Sequence, residues 1–217
     1  MHKKFVGLVL GISIFPATLH AQQYNIELKG EYEIWDTGLY GEANAPLGGV
    51  GLGYYKKEYF AGGGFVLGDY SVQDDSDIEI QRIDFDFVLG KKIDEQWSVF
   101  TGYRFNRFNY SSKTDASITT RENTLGLGLG ASLTVPFTPH WIGFISGVFS
   151  GVYSYNNFDD KGKGFSVGIE GGVVYSVNPR TTLAMRAKIQ STKIGYDGGD
   201  EWVHSYNRLG VNLGYLF

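Results

Sequence analysis

Residues 208–217 read RLGVNLGYLF, and this stretch decides the fold class of the chain. Apolar side chains occupy every second position, and the polar or very small residues Arg208, Gly210, Asn212 and Gly214 lie between them. The apolar set is Leu209, Val211, Leu213, Tyr215 and Phe217. Because successive side chains of a strand point to opposite faces of a sheet, the pattern predicts a β-strand with one apolar face that ends on an aromatic residue.

The amino-terminal residues predict a secretory signal. Two lysines precede an apolar stretch over residues 5–15, and small residues follow up to Ala21. The stretch is short for a membrane helix, and glycine and proline interrupt it. We therefore expect residues 1–21 to be a cleaved signal peptide and residues 22–217 to form a single domain.

The composition excludes several classes of function. The 19 basic and 23 acidic residues give a formal net charge of −4, which argues against nucleic acid as a partner. The chain has no cysteine, so thiolate metal sites and thiol redox chemistry are excluded. Its 31 glycines, 15 tyrosines and 15 phenylalanines, against 5 prolines, favour strands and tight turns. We expect neither a cofactor nor a bound metal ion.

Alternating segments bounded by turn residues predict about ten strands, with eight or twelve as the alternatives. The predicted strands are 24–36, 47–56, 58–72, 78–91, 96–110, 118–135, 140–154, 164–177, 181–194 and 204–217. The connections between them alternate between short turns and longer polar loops. The short turns are Lys56–Glu58, Lys91–Gln96, Pro136–Pro139 and Asn178–Arg180, whereas the first long loop covers Asp36–Pro46. No interior stretch approaches the ~20 apolar residues of a membrane helix, so any membrane crossing must use strands.

These features resemble the small outer-membrane β-barrel proteins of Gram-negative bacteria. The specific motif is the closing strand, because an alternating last strand that ends on phenylalanine resembles the assembly signal of that family. The resemblance implies an all-β, transmembrane, antiparallel up-and-down barrel in the outer membrane, with short periplasmic turns and long external loops. It also implies contact with outer-membrane lipid, with lipopolysaccharide and with the barrel assembly machinery, which would recognise Leu209, Val211, Leu213, Tyr215 and Phe217.

With the apolar faces turned outward, charged residues of both signs point into the lumen. This predicted lumenal set is Glu31, Glu33, Asp84, Asp86, Arg104, Glu170, Arg186, Lys188 and Arg208. The same phases also turn Glu27, Lys29, Arg82, Asn106, Gln190 and Asn212 inward. Counting residues from the short turns predicts which of them are neighbours: Asp84 with Arg104, Glu170 with Arg186 and Lys188, and Arg208 with Glu31 or Glu33. We expect these charges to neutralise one another in a narrow interior, with a gated or very small conducting path as the alternative.

Other positions are predicted to face lipid. Arg107 and Lys193 point outward near the external loops, where they would either meet lipopolysaccharide phosphates or extend into the water layer. Aromatic residues are expected to form girdles at both membrane interfaces. The external girdle is predicted to contain Tyr110, Tyr153, Tyr196 and Trp202. The phases of the third and seventh strands stay open, because glycines and bulky residues occupy both.

Two short patterns resemble outer-membrane enzymes. Asp84 and Asp86, with Asp200 and His204, resemble parts of the omptin protease site, but Asp200 and His204 are four residues apart where that family has two. His204 and Ser205 resemble the His–x–Ser–Asn element of lipid A deacylases, but adjacent strand residues point to opposite faces. The chain therefore offers no workable catalytic arrangement.

Glycine-rich stretches at 48–53 and 62–64 lack the lysine and the helix of a phosphate-binding loop. We expect them to be strand positions that make room for lumenal side chains. The sequence as a whole predicts a non-enzymatic barrel with a structural or surface-interaction role through acidic external loops, whose ligand is unknown. The alternatives are a narrow porin-like channel for small solutes or ions and, third, a membrane-embedded hydrolase.

Overall fold

A computed structural model describes residues 23–37, 41–72, 77–115, 119–158, 160–199 and 201–217, and the predicted signal peptide lies outside them. They form ten strands. The strands are β1 (Gln23–Asp36), β2 (Glu42–Lys56), β3 (Tyr59–Val72), β4 (Ile78–Lys92), β5 (Trp97–Ser112), β6 (Thr119–Pro136), β7 (Trp141–Asn156), β8 (Lys161–Asn178), β9 (Thr181–Tyr196) and β10 (Glu201–Leu216). These described residues contain no helix with the length and apolarity that a membrane crossing requires.

Each strand pairs antiparallel with the next one along the chain, and β1 pairs with β10. The sheet is therefore a closed barrel, which confirms the predicted up-and-down topology and the count of ten strands. The seam between β1 and β10 is paired from Asn25 opposite Leu216 to Asp36 opposite Ser205. Beyond it, the Phe217 amide donates a hydrogen bond to the Tyr24 carbonyl at 2.9 Å.

The two rims of the barrel differ in the connections that they carry. The short turns at 57–58, 93–96, 137–140 and 179–180 lie at one rim, together with Gln23 and Phe217. We refer to this end as the short-turn rim and to the opposite end as the long-loop rim. The alternation of connection lengths is the one that the sequence predicts.

Side chains alternate between an apolar outer face and a more polar interior. On β1, Tyr24, Ile26 and Leu28 are 53, 43 and 56% exposed, whereas Glu27 and Glu33 are 1 and 0% exposed. A water-soluble barrel would bury the first set and expose the second. The inverted arrangement is that of a barrel whose outer face contacts hydrocarbon.

The second strand begins at Glu42 rather than at the predicted residue 47. The sequence predicts a long polar loop over Asp36–Pro46 instead. In the structure Pro46 lies opposite Tyr32 of β1, and the β2–β3 pairing is interrupted between Asn44 and Gly48. Proline has no amide hydrogen to donate, and it is tolerated here because the missing bond falls within that interruption.

The structure gives the phases that the sequence left open. On β3, Phe60, Val66 and Tyr70 point inward, and on β7 Ile142 and Val152 do so. The interior therefore holds apolar as well as polar side chains. This mixture is why neither phase was evident in the sequence.

Three predicted girdle residues face the interior instead of the membrane. Tyr110 is buried and stacks on Phe108 inside the barrel. The Tyr196 hydroxyl donates to the buried carboxylate of Glu122 at 2.7 Å, and Trp202 packs against Tyr196. The girdle prediction was wrong for these three because the barrel interior near the long-loop rim is itself aromatic.

Candidate functional site

The lumen is filled in three layers. Near the short-turn rim, Tyr55, Phe60, Val88 and Phe100 form a buried apolar cluster. The middle layer is charged. Toward the long-loop rim lies a second apolar cluster of Trp35, Ala43, Ala45, Leu47, Val66, Tyr70, Val72, Ile80, Phe108, Tyr110 and Tyr206.

Glycines allow the aromatic rings of the first cluster to lie across the lumen. A Cβ atom at Gly90 would collide with the Phe60 ring, and one at Gly130 would collide with the Phe100 ring. Each glycine therefore provides the space that a phenylalanine ring occupies. Together these two rings cover the charged layer on the side of the short-turn rim.

Arg208 is the centre of the charged layer. Its guanidinium contacts Glu31 at 2.9 Å, Glu33 at 2.5 Å and Asp84 at 2.8 Å. The Arg208 side chain is 8% exposed, and the three carboxylates are at most 5% exposed. Because Asp84 lies on β4 and the two glutamates lie on β1, Arg208 of β10 connects opposite walls of the barrel.

Arg82 forms a second buried centre beside Arg208. It contacts Glu33 through Nη1 and donates from Nε to Asp84 at 2.7 Å. The Arg82 guanidinium also lies 4.7 Å from the centroid of the Tyr206 ring. Aromatic faces attract cations, so the Tyr206 ring stabilises the side of the guanidinium that contacts no carboxylate.

The partner of Arg104 is Asp86, and the predicted pairing with Asp84 is wrong. Arg104 Nε lies 2.5 Å from Asp86 Oδ1, whereas Asp84 accepts hydrogen bonds from Arg82, Arg208 and Asn106. The strands place Asp86 directly opposite Arg104.

The turn between β4 and β5 explains this two-residue difference. The Asp94 carboxylate accepts hydrogen bonds from the amides of Trp97 and Gln96, both at 2.7 Å. These two bonds lower the pKa of the Asp94 carboxyl, and the bond from the Trp97 amide has the larger effect. The turn that they stabilise pairs Lys92 with Ser98, and the count from the sequence did not foresee that register.

Arg186 connects two carboxylates on the other side of Arg208. It contacts Glu31 through Nη2 and Glu170 through Nη1, the latter at 3.4 Å. Lys188 lies opposite both Glu170 and Arg208 in the strand register, and its Nζ is 5.6 Å from the Tyr206 ring centroid. The predicted lumenal residues thus lie in one layer, with the single change of partner at Arg104.

Small residues on β2 and β3 allow side chains of β1 and β4 to meet. The contact of Glu33 on β1 with Arg82 on β4 spans the lumenal face of β2 and β3, which lie between them in the sheet. A Cβ atom at Gly64 would collide with the Lys29 ammonium group, which lies over it. For Gly64 this confirms the prediction that the glycine makes room for a lumenal side chain.

The lumen wall formed by β6 to β9 has a different character. Many of its inward residues are small, and next to Arg104 they leave, together with Val148 and Val152, a cavity of about 40 Å³. The lining includes Thr124, Ser150, Ser166 and Thr192. A cavity of this size and polarity can hold one or a few water molecules.

The residues considered for catalysis lie in different surroundings wherever the structure describes them. Asp84 is buried among its hydrogen-bond donors, and His204 is buried next to Trp35, Phe108 and Trp202. Ser205 is on the opposite face of β10, and Asp200 lies outside the described residues. Within the described ranges, no cluster of three or more His, Asp and Glu side chains is arranged to hold a metal ion.

Several solved structures are similar to this barrel, although no protein-family model and no curated protein sequence matches the chain. The outer membrane protease OmpT from Escherichia coli superposes with a TM-score of 0.52 at 10% identity, covering 90% of this chain and 96% of that one. The β domain of the Bordetella autotransporter BrkA gives 0.52 at 10% identity, with coverage of 89 and 99%. Neisserial surface protein A gives 0.49 at 12% identity, with coverage of 88 and 96%.

The chain has the fold of an outer-membrane β-barrel. At these identities the likeness shows the fold alone, since barrels with one architecture perform different functions.

The predicted lipid contacts lie on the outer face of the barrel, near the long-loop rim. Arg107 donates from Nε to Asn123 at 2.9 Å, and its guanidinium lies 5.5 Å from the Phe105 ring centroid. Lys193 lies 2.8 Å from Glu201, an acidic partner that the sequence did not suggest. The predicted assembly residues Leu209, Val211, Leu213, Tyr215 and Phe217 are 65, 48, 49, 40 and 67% exposed.

The sequence predicts that Arg82 and Gln190 face the lumen, and both do. It does not predict that Tyr206 joins the lumenal network, because Tyr206 carries no charge. Even so, Gln190 accepts a hydrogen bond from Tyr206 at 2.5 Å, and Arg104 contacts both of them.

Proposed function

We propose that the protein is a non-enzymatic outer-membrane barrel with a structural role or an interaction role exercised through its external loops. One observation carries this proposal: the lumen is a packed interior with a neutralised charged layer between two apolar layers. Buried charges that are paired with one another are not free to bind and turn over a substrate, and removing one partner of such a pair would destabilise the barrel.

In this proposal the barrel lies in the outer membrane of a Gram-negative bacterium. The apolar outer face and the structural similarity to outer-membrane barrels support that location. The short-turn rim would face the periplasm and the long-loop rim the exterior, as in other barrels of this class. The acidic residues of the long loops would then be on the cell surface.

Part of the long-loop rim is ordered by its own hydrogen bonds, which suits a binding surface. Asp77, just before β4, accepts hydrogen bonds from the hydroxyls of Ser112 and Thr114, both at 2.8 Å. It also accepts one from the Thr114 amide at 3.0 Å. A surface that is ordered before it binds loses less conformational entropy on binding.

Recording single-channel currents from purified, refolded protein in a planar bilayer tests the closed lumen. We expect no conductance steps, because apolar layers and buried ion pairs lie across the path of an ion. A porin of known conductance in the same bilayer is the positive control. Reproducible steps from the wild type would contradict the closed lumen and support the narrow channel.

The narrow channel is the second candidate, because the lumen contains a cavity beside Arg104. If the wild type conducts, ions must pass this wall of small residues. Ser150→Phe would then place a ring in the cavity and block the current. Ser191→Phe, a matched change on the outer face of β9, should leave the current unchanged.

A further inference from the structure

The outer face of β2, β3 and β4 carries an apolar groove close to the short-turn rim. Its floor is formed by Ala61 and Gly63 of β3, which present almost no side chain to the membrane. Its volume is about 550 Å³. The walls are bulky and apolar, with Val50, Leu52 and Tyr54 on β2 and Phe85 and Phe87 on β4.

Two lysines flank the end of this groove at the short-turn rim. In the strand register Lys56 of β2 lies opposite Tyr59 of β3, and Tyr59 lies opposite Lys91 of β4. All three side chains are exposed, and the Lys91 ammonium lies 5.5 Å from the Tyr59 ring centroid. Because Tyr59 precedes Ala61 on the same face of β3, the row of three continues the floor of the groove.

The rest of the short-turn rim lacks this combination. Among the described residues of the turns at 137–140 and 179–180, Arg180 is the single Lys or Arg side chain. By contrast, Lys57 follows Lys56 directly in the β2–β3 turn, where Glu58 is the neighbouring acid, and Lys92 follows Lys91 before the exposed acids Asp94 and Glu95 of the β4–β5 turn. Positive charge at this rim is therefore concentrated on the strands that form the groove.

In a bilayer an apolar groove is filled by an acyl chain, because an empty groove would lose dispersion contacts on all its walls. Lysines at the membrane interface attract anionic headgroups. We propose that this surface binds one anionic glycerophospholipid, with an acyl chain along Ala61 and Gly63 and the phosphate beside Lys56 and Lys91. The inference rests on the membrane location and orientation proposed above, with the short-turn rim in the phospholipid leaflet.

Native mass spectrometry of the delipidated barrel in detergent tests this site. The probes are phosphatidylglycerol and phosphatidylcholine with identical acyl chains. We expect the wild type to retain one phosphatidylglycerol molecule with about 30-fold preference over phosphatidylcholine, the scale that two interfacial lysines provide at about 1 kcal/mol each. The double variant Lys56→Gln, Lys91→Gln should lose the preference, whereas Ala61→Leu should weaken the binding of both lipids.

Two matched variants separate the site from general effects of charge and surface. Lys161→Gln with Lys163→Gln removes two exposed lysines from β8 at the other rim, and Ala131→Leu enlarges an exposed alanine of β6. Both should bind lipid as the wild type does. Equal loss of phosphatidylglycerol in the two lysine pairs, or unchanged binding in Ala61→Leu, would overturn the proposal.

Folding and the proposed function are checked separately. Heat-modifiable migration on gels confirms that each variant is a folded barrel before lipids are counted. A wild type that conducts ions would contradict the closed lumen and leave the lipid count unchanged. Failure of the lipid site would likewise leave the conductance result unaffected.

Discussion

Ion pairs occur in two regions of this barrel, with the same kinds of residue in different surroundings. In the lumen, the Arg208 side chain is 8% exposed and bridges three carboxylates. At the long-loop rim, Lys193 and Glu201 are 42 and 61% exposed. Exposed pairs contribute about 0–1 kcal/mol, whereas removing one partner of a buried pair costs about 3–5 kcal/mol. Lumenal charges should therefore determine whether the barrel is stable, while rim charges can change with little effect on the fold.

The largest effect, on the amount of assembled barrel, should come from deleting an exposed residue. Burial therefore does not decide the importance of every side chain. Deleting Phe217, which is 67% exposed, should leave export intact and reduce assembled barrel to near zero. The expected reason is that assembly requires recognition of the closing strand. This recognition does not depend on how far Phe217 is buried in the folded barrel. Heat-modifiable folded protein in membrane fractions is the measurement.

Phe137 provides a matched control for this deletion, because it is 64% exposed at the same rim. Phe137→Ala should assemble as the wild type does. Normal amounts of folded protein from the chain without Phe217 would show that the closing strand is not an assembly signal.

Arg208→Ala should have the largest effect on stability. The change leaves Glu31, Glu33 and Asp84 close together without the cation that they share, and we expect a loss of about 3–5 kcal/mol. Unfolding in urea, followed by tryptophan fluorescence, measures the loss. Lys193→Ala at the rim is the control, with an expected change below about 1 kcal/mol. Similar losses for the two variants would refute the contrast between lumen and rim.

Arg104→Ala tests the pairing within the lumen. Its side chain and that of Asp86 are 17 and 23% exposed, so we expect a smaller loss of about 1–3 kcal/mol. A double-mutant cycle with Asp86→Asn should give an interaction energy of about 1 kcal/mol or more. The same cycle with Asp84→Asn should give a smaller value, and the reverse order would show that the β4–β5 register is wrong.

The sequence predicts this fold well because one face of each strand contacts lipid, which requires apolar side chains at alternate positions. The alternation within the strands and the two lengths of connection are sufficient to predict the topology, the number of strands and the direction of the charged residues. Side chains that meet across the lumen, such as Arg82 with Glu33, depend on the curvature of the closed sheet. Alternation does not contain that information, and the apolar interior at Tyr70 or Tyr110 contradicts a simple rule of polar lumen and apolar outside.

Asp77 allows a smaller test at the rim. Hydrogen bonds from Ser112 and Thr114 lower the pKa of this exposed carboxyl below its ordinary value of 3.8. The stabilisation from these bonds is present above that value and is lost as the pH falls through the lower pKa of the folded state. The Thr114 amide chemical shift should therefore titrate with a midpoint below 3.8.

Two variants check this assignment. Asp77→Asn should abolish the transition, while Glu79→Gln, which alters a nearby exposed acid, should preserve it. A midpoint at or above the ordinary aspartate value would mean that the hydrogen bonds do not form in solution.

The smallest effect on the fold should come from removing the outward bases of the rim. Arg107→Gln with Lys193→Gln should change stability in detergent by less than about 1 kcal/mol, because neither side chain is buried among charges. If the two bases bind lipopolysaccharide phosphates, lipopolysaccharide should raise the thermal midpoint of the wild type more than that of the double variant. Salt should reduce this difference, since the attraction is screened. Lys193 must leave Glu201 to bind a phosphate, so Glu201→Gln should increase the stabilisation by lipopolysaccharide. Equal stabilisation of the wild type and the double variant would show that Arg107 and Lys193 only extend into the water layer.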